Sequence, residues 1–121
     1  MQIQKLPNAE LLDKLILLAR DERKLLVEFL VCLREFDVRK LYLEDGYSSL
    51  FAYLTQGLGL SEGSAYRRIR AARLSLKYSL ILERLQHGKL TLASLSAVDP
   101  ILTLDNCATV LGECEKLTKR G

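Results

Sequence analysis

Gly59-Leu60-Ser61-Glu62-Gly63-Ser64-Ala65-Tyr66-Arg67-Arg68-Ile69-Arg70-Ala71-Ala72-Arg73 decides how this chain is to be read. Gly59 marks a turn, because glycine accepts the left-handed backbone that ends one helix before another starts. Ser61 is placed to cap the next helix from its side-chain oxygen. Beyond it Ala65, Ile69 and Ala72 recur at i, i+4 and i+7, the spacing of a buried helical stripe. Two of the three are alanines, so the helix can lie close to its neighbour. The opposite face carries Gly63, Arg67 and Arg70, flanked by Tyr66 and Arg73 on one side and by Ser64 and Arg68 on the other.

A short turn between two helices, with guanidinium groups on the outer face of the second, is the arrangement that enters a DNA groove. Arginine can grip phosphates or the O6 and N7 edge of guanine. The first turn of the helix, with Ser61, Ser64 and unpaired backbone N–H groups, suits a phosphate. A solvated amphipathic helix would show the same arginines, and it is the turn in front that favours DNA. The expected DNA contacts are therefore Ser61, Gly63, Ser64, Tyr66, Arg67, Arg68, Arg70, Arg73 and Lys77. Arg67 and Arg70 are nearest the bases, and Ser61, Ser64, Arg68, Arg73 and Lys77 hold phosphates. Gly63 would let backbone come close to DNA, and Tyr66 would stack or bond a phosphate.

Charge is unevenly spread. The net charge is only +3 over 121 residues, but Ser61 to Leu90 holds seven basic residues against two acidic, a surplus of five. The remainder is negative by two. The positive field thus falls in one segment, as a nucleic-acid footprint does. Arg84 and Lys89 join Lys77 as candidate backbone clamps.

Working outward, the chain reads as all-α, one helical domain over residues 1–121 with a central helix-turn-helix over residues 48–74. Nearly half the residues are apolar, and the only two prolines, Pro7 and Pro100, flank periodic segments. Asn8 is expected to cap a first helix to about Ala19, with Leu11, Leu12, Leu15 and Leu18 on one face. Asp21 caps a second helix, or starts a kink, and that helix runs to about Lys40 and buries Leu26, Phe29, Leu30, Leu33 and Phe36. Gly46 ends the next segment. Ser48 or Ser49 caps a third helix to about Gly57, and the fourth runs from Glu62 to about Leu74. A fifth spans about Ser79 to His87 and is stopped by Gly88. Thr91 opens a short sixth, and Thr103 caps a seventh from Leu104 to about Leu117.

Cys32, Cys107 and Cys114 follow no metal spacing. Cys32 reads as a buried small hydrophobe, and three free thiols fit a reducing, cytoplasmic setting. No signal peptide or membrane-length apolar run is recognisable.

Two stretches carry a resemblance. Leu41-Tyr42-Leu43-Glu44-Asp45-Gly46-Tyr47-Ser48-Ser49-Leu50-Phe51, and Ser64 through Arg73, resemble the N-terminal helical domain that precedes the nuclease module in a group of bacterial HNH endonucleases. The likeness extends upstream through Leu17-Leu18-Ala19-Arg20-Asp21-Glu22-Arg23 and downstream through Leu82 to Ser96 and Pro100 to Asn106. The order of helix-turn-helix followed by a helix ending in Gly88-Lys89-Leu90-Thr91 is also similar, as a pattern, to the DNA-binding core of ParB-type partition proteins. The resemblance implies DNA association by the helical domain, with chemistry supplied by a C-terminal HNH module. An HNH site needs a histidine base and further groups around a metal. This sequence has one histidine, His87, which reads as a helix-end residue interacting with the dipole. No catalytic residue, metal ligand, cofactor or small-molecule substrate is therefore expected in these residues. The family's chain would continue about where Lys119-Arg120-Gly121 stand, which implies either a piece of a longer nuclease or a relative without the module. The expected partner is double-stranded DNA, and a homodimer is compatible with it. The alternative is a protein-interaction or dimerisation domain, using the long second helix or the C-terminal stripe of Leu104, Cys107, Val110, Leu111 and Cys114.

Overall fold

The fold described here is that of a computed structural model, which covers residues 2–120, with side chains to Leu117. Seven α-helices and no strand occur among the described residues: α1 (Asn8–Val38), α2 (Leu41–Glu44), α3 (Leu50–Ala52), α4 (Glu62–Lys77), α5 (Leu80–Gln86), α6 (Leu92–Val98) and α7 (Cys107–Arg120). Short 3-10 turns at Ile3–Lys5 and Asp99–Ile101 precede α1 and follow α6, and a π-helical turn, Tyr53–Gly57, extends α3.

The expected break at Asp21 is absent, and α1 is one helix of 31 residues. Nothing between Arg20 and Lys24 lacks an N–H or needs a positive φ, so a chain of good helix formers simply continues. Pro7, not Asn8, occupies the N-cap position, and its carbonyl accepts from Leu11 N at 3.0 Å. The helix ends at Arg39 and Lys40, where Lys40 takes a left-handed conformation at φ 52° and starts α2.

Local signals elsewhere act as expected. The Ser49 hydroxyl accepts from Ala52 N at 3.0 Å and opens α3. Gly46, Gly59 and Gly88 all have positive φ. The Thr91 hydroxyl accepts from Ser94 N at 3.0 Å and opens α6. Thr103 and Asn106 cap each other's backbone amides, at 2.7 and 3.1 Å, so the turn from Leu104 to Asn106 leads into α7 from Cys107. The helix expected from Leu104 thus begins three residues later.

α4 is the central helix, packing on α1, α3, α5 and α6. Ala65, Ile69 and Ala72 are buried as their spacing requires, and Ala71, Leu74 and Ser75 are buried as well. α1 supplies Leu30 and Leu33 to the same core, α5 supplies Ile81 and Leu85, and α6 supplies Leu95. Aromatic contacts fasten the π turn to α1, with the Phe36 and Tyr53 rings 4.7 Å apart and Tyr47 edge-on to Tyr53 at 5.3 Å.

One further expectation fails, the burial of Cys32. Cys32 is exposed, at the rim of a cleft that it lines with Phe29, Phe36, Tyr53 and Leu58. Leu11, Leu12, Leu15 and Leu18 share one side of α1 as expected, but all four are exposed. Cys107, Leu111 and Cys114 are buried in the core, so most of the C-terminal stripe is used internally rather than offered to a partner.

Candidate nucleic-acid interface

The turn into α4 is built by Leu54, Gly59 and Ser61. Leu60 N donates to Leu54 O at 3.0 Å, and Gly59 has φ 76°. Leu58 N donates to Tyr53 O, five residues back, which makes the preceding turn a π turn. The Thr55 hydroxyl donates to Phe51 O at 2.9 Å and eases that widening. Gly57 fits because a side chain there would meet the Tyr47 ring and hydroxyl at 3.2–3.3 Å. The π turn is invisible to local propensity, since it depends on Tyr47 and Tyr53 packing together. The Ser61 hydroxyl then accepts from Ser64 N at 3.2 Å and caps α4. α4 runs to Lys77, a turn beyond the expected end, and Lys77 sits in its last turn.

Because α4 is central, only one strip of it faces out. That strip carries Gly63, Tyr66, Arg67, Arg70, Arg73 and Lys77, with the exposed Glu62 at its start and Leu76 at its margin, and runs the length of the helix. Tyr66 is 57% exposed and touches no aromatic partner among the described residues. Ser64 and Arg68 lie at its edge, half-buried on the side facing α1.

The four arginines of the strip and its edge are not equivalent. Arg70 makes a bidentate pair with Asp99, Nε to Oδ2 at 2.8 Å and Nη2 to Oδ1 at 2.9 Å. Arg73 does the same with Asp37 at 2.9 and 3.2 Å. Each pair ties α4 to a distant segment, α6's end in one case and α1's end in the other. The hydrogen-bonded carboxylates push both guanidinium groups further up in pKa, against the opposing effect of burial. Both arginines keep Nη1 outside the pair, so the two N–H of Nη1 and the second N–H of Nη2 remain to donate. Arg68 turns back on its own helix and donates to the Ser64 carbonyl at 3.3 Å and to the Ser64 hydroxyl. Burial, with Arg67 nearby, pulls its pKa down. Ser64 is therefore occupied on two sides, by Ser61 and by Arg68.

Arg67 makes no ion pair among the described residues. Its guanidinium folds over Gly63, where an added Cβ would come within 3.1 Å of Nη1. Gly63 thus makes room for Arg67. Lys77 also lacks an acidic partner and lies 5.8 Å from the centre of the Tyr78 ring. Arg84, a candidate clamp, is directed inward instead. Its Nη1 bonds Glu115 of α7 at 3.3 Å and its Nε is buried without a hydrogen-bond acceptor. Pairings over 29, 36 and 31 residues of sequence are long-range facts, and helix periodicity alone could not find them.

No group of His, Cys, Asp or Glu able to hold a metal occurs among the described residues. His87 Nδ1 meets Glu83 O at 2.9 Å at the end of α5, and Arg23 Nε donates to Gln86 O beside it. No helix is long and apolar enough to cross a membrane among the described residues. No protein-family model, curated protein or solved structure matches the chain.

Proposed function

We propose that this chain is a non-catalytic double-stranded DNA-binding module that uses α4 as its recognition helix, behind a turn set by Gly59. The observation that carries the reading is the exposed strip of α4, which carries cations from Arg67 to Lys77 and has Arg67 and Lys77 without acidic partners. The surplus of five positive charges between Ser61 and Leu90 supports it. In this reading Arg67 probes base edges. Arg70 and Arg73, held in place by Asp99 and Asp37, present the fixed N–H groups of Nη1 to phosphates. A guanidinium locked by a carboxylate loses less rotamer freedom on binding than a free one, but attracts DNA less from afar. Ser61, Ser64, Arg68 and Lys77 hold backbone phosphates, Gly63 leaves room for the Arg67 guanidinium, and Tyr66 stacks.

The kinship to HNH-associated domains, and the weaker one to ParB-type cores, belong to the same proposal. So do a bacterial, cytoplasmic setting and a nuclease module in a longer parent protein. Fluorescence anisotropy with labelled duplex DNA tests the reading. The chain binds at low salt and the Arg67→Ala, Lys77→Ala double variant loses most of that affinity. Equal binding by both proteins, or by neither, removes the basis for the reading. A second reading, an interaction or dimerisation domain, is favoured by one specific observation, the bare N-terminal half of α1.

A further inference from the structure

α1 carries one seven-residue apolar repeat along its whole length. Its C-terminal half, Leu26, Phe29, Leu33 and Phe36, is packed into the core or against it. The same repeat continues N-terminally as Leu12, Leu15 and Ala19, with Glu22 between the two halves. There the helix has left the body. Leu12 and Leu15 are exposed by 58 and 64%, and Leu11, Ile16 and Leu18 beside them by 42–52%. A spacing of three and four residues sustained over four repeats is the signature of a helix that packs along a seam. Clustered exposed aliphatics of this extent mark an interaction surface rather than ordinary scatter.

We infer that the bare half of α1 pairs with the same segment of a second copy of this chain, in antiparallel orientation. Three observations select that occupant and that orientation. First, the body sits on the same side of α1 as the bare stripe, because α4 and α5 pack on α1's C-terminal half. In a parallel pair both bodies would occupy one end and one side, and would collide. In an antiparallel pair each body lies beyond the start of the other helix. Second, the lengths fit. A two-fold axis between Asp13 and Lys14 places Leu12 against the partner's Leu15, with Leu11 and Ile16 flanking the seam on opposite edges. Each helix then begins about 8 Å past the axis, whereas the body, marked by the Arg23–Gln86 hydrogen bond, begins about 14 Å past it. Where they approach, a cleft of about 520 Å³ lined by Leu25, Leu26, Phe29, Leu60 and Arg68 is open to receive the partner's first residues. Third, the charges agree. The antiparallel register brings the turn that carries Lys5 towards the partner's Glu22. A parallel pair would set Glu22 against Glu22, and like charges at a helix seam oppose pairing.

This inference does not rest on the DNA reading, because Arg67 and Lys77 lie on another helix. Sedimentation equilibrium at tens of micromolar tests it. The chain is expected at twice its 13.7 kDa mass. Leu12→Asp with Leu15→Asp should halve that mass and leave the fold of each chain's body intact by far-ultraviolet circular dichroism, since neither side chain packs on its own body. A Cys32→Ser background then allows oriented cross-linking. Leu12→Cys mixed with Leu15→Cys should form a mixed disulfide, and neither alone should form a homodisulfide readily. A monomeric wild-type chain, or a double aspartate variant that stays dimeric, overturns the inference. So does a homodisulfide at position 12, which means parallel helices. A monomer that co-sediments with anionic phospholipid vesicles also overturns it, and makes the occupant a lipid surface.

Discussion

Arg67, Arg70 and Arg73 lie within seven residues and carry the same charge, yet their surroundings give them different work. Arg67 touches no carboxylate among the described residues, so its removal should leave stability within about 0.5 kcal/mol. If it reads a guanine, Arg67→Ala should weaken DNA binding by about 1–3 kcal/mol and flatten sequence preference. Arg70→Ala should do the reverse in emphasis. It strands Asp99, whose side chain is only 14% exposed, and should cost about 1–3 kcal/mol of stability in urea denaturation. Arg73→Ala likewise strands Asp37, 17% exposed, but Arg73 itself is 49% exposed and solvent screens the pair more, so the cost should lie at the low end, about 1 kcal/mol. Equal stability for Arg67→Ala and Arg70→Ala would refute this division of labour. The thiols separate in the same way. Burial pushes the Cys107 and Cys114 thiols up, so they hold little thiolate at neutral pH. A chromogenic disulfide reagent should modify Cys32 quickly and the other two only on unfolding. The raised folded-state pKa means that these two thiols support the fold below the ordinary thiol range. They cease to do so as pH rises through it.

Elements show where local rules suffice. Caps and stops were legible because each is decided within four residues: Ser49, Ser61 and Thr91 bond amides three residues on, and Gly59 and Gly88 supply the positive φ their turns require. Gly59 has open space where a Cβ would go, so its constraint is the backbone itself. Gly59→Ala should therefore cost about 1–2 kcal/mol through strain alone, and Gly59→Asn less, because asparagine tolerates the left-handed region. Ile69→Ala should cost about 2–5 kcal/mol, since Ile69 is 6% exposed at the centre of the fold. If both variants melt like the parent protein, the turn and the central helix are wrongly placed. What periodicity could not supply were facts joining distant residues. The carboxylates of Asp37 and Asp99, the inward Arg84 and the π turn beneath Tyr47 all depend on packing. The unbroken α1 has another cause. A cap residue such as Asp21 signals a helix start only where the preceding chain cannot continue, and Arg20 can.

Over the whole molecule, two surfaces stand out, the strip on α4 and the bare half of α1, and neither needs catalytic chemistry. No nicking of plasmid DNA is expected from this chain with magnesium, manganese or zinc. The Arg67→Ala, Arg70→Ala variant controls for contaminating enzymes. Activity lost in that variant would show that these residues hold an active site. The measurement that bears most directly on the central claim is the salt dependence of binding to duplex DNA. Counting every cation of the strip gives about four or five phosphate contacts and a slope near −4 for log K against log[salt]. The structure lowers that number, because Asp99 and Asp37 already neutralise Arg70 and Arg73. Arg67, Arg68 and Lys77 remain without carboxylate partners, which gives a slope of about −3 for each protomer bound. A slope near −3 that falls to about −1 in the Arg67→Ala, Lys77→Ala variant is the result this account predicts. A slope near zero, or no binding at low salt, would contradict it.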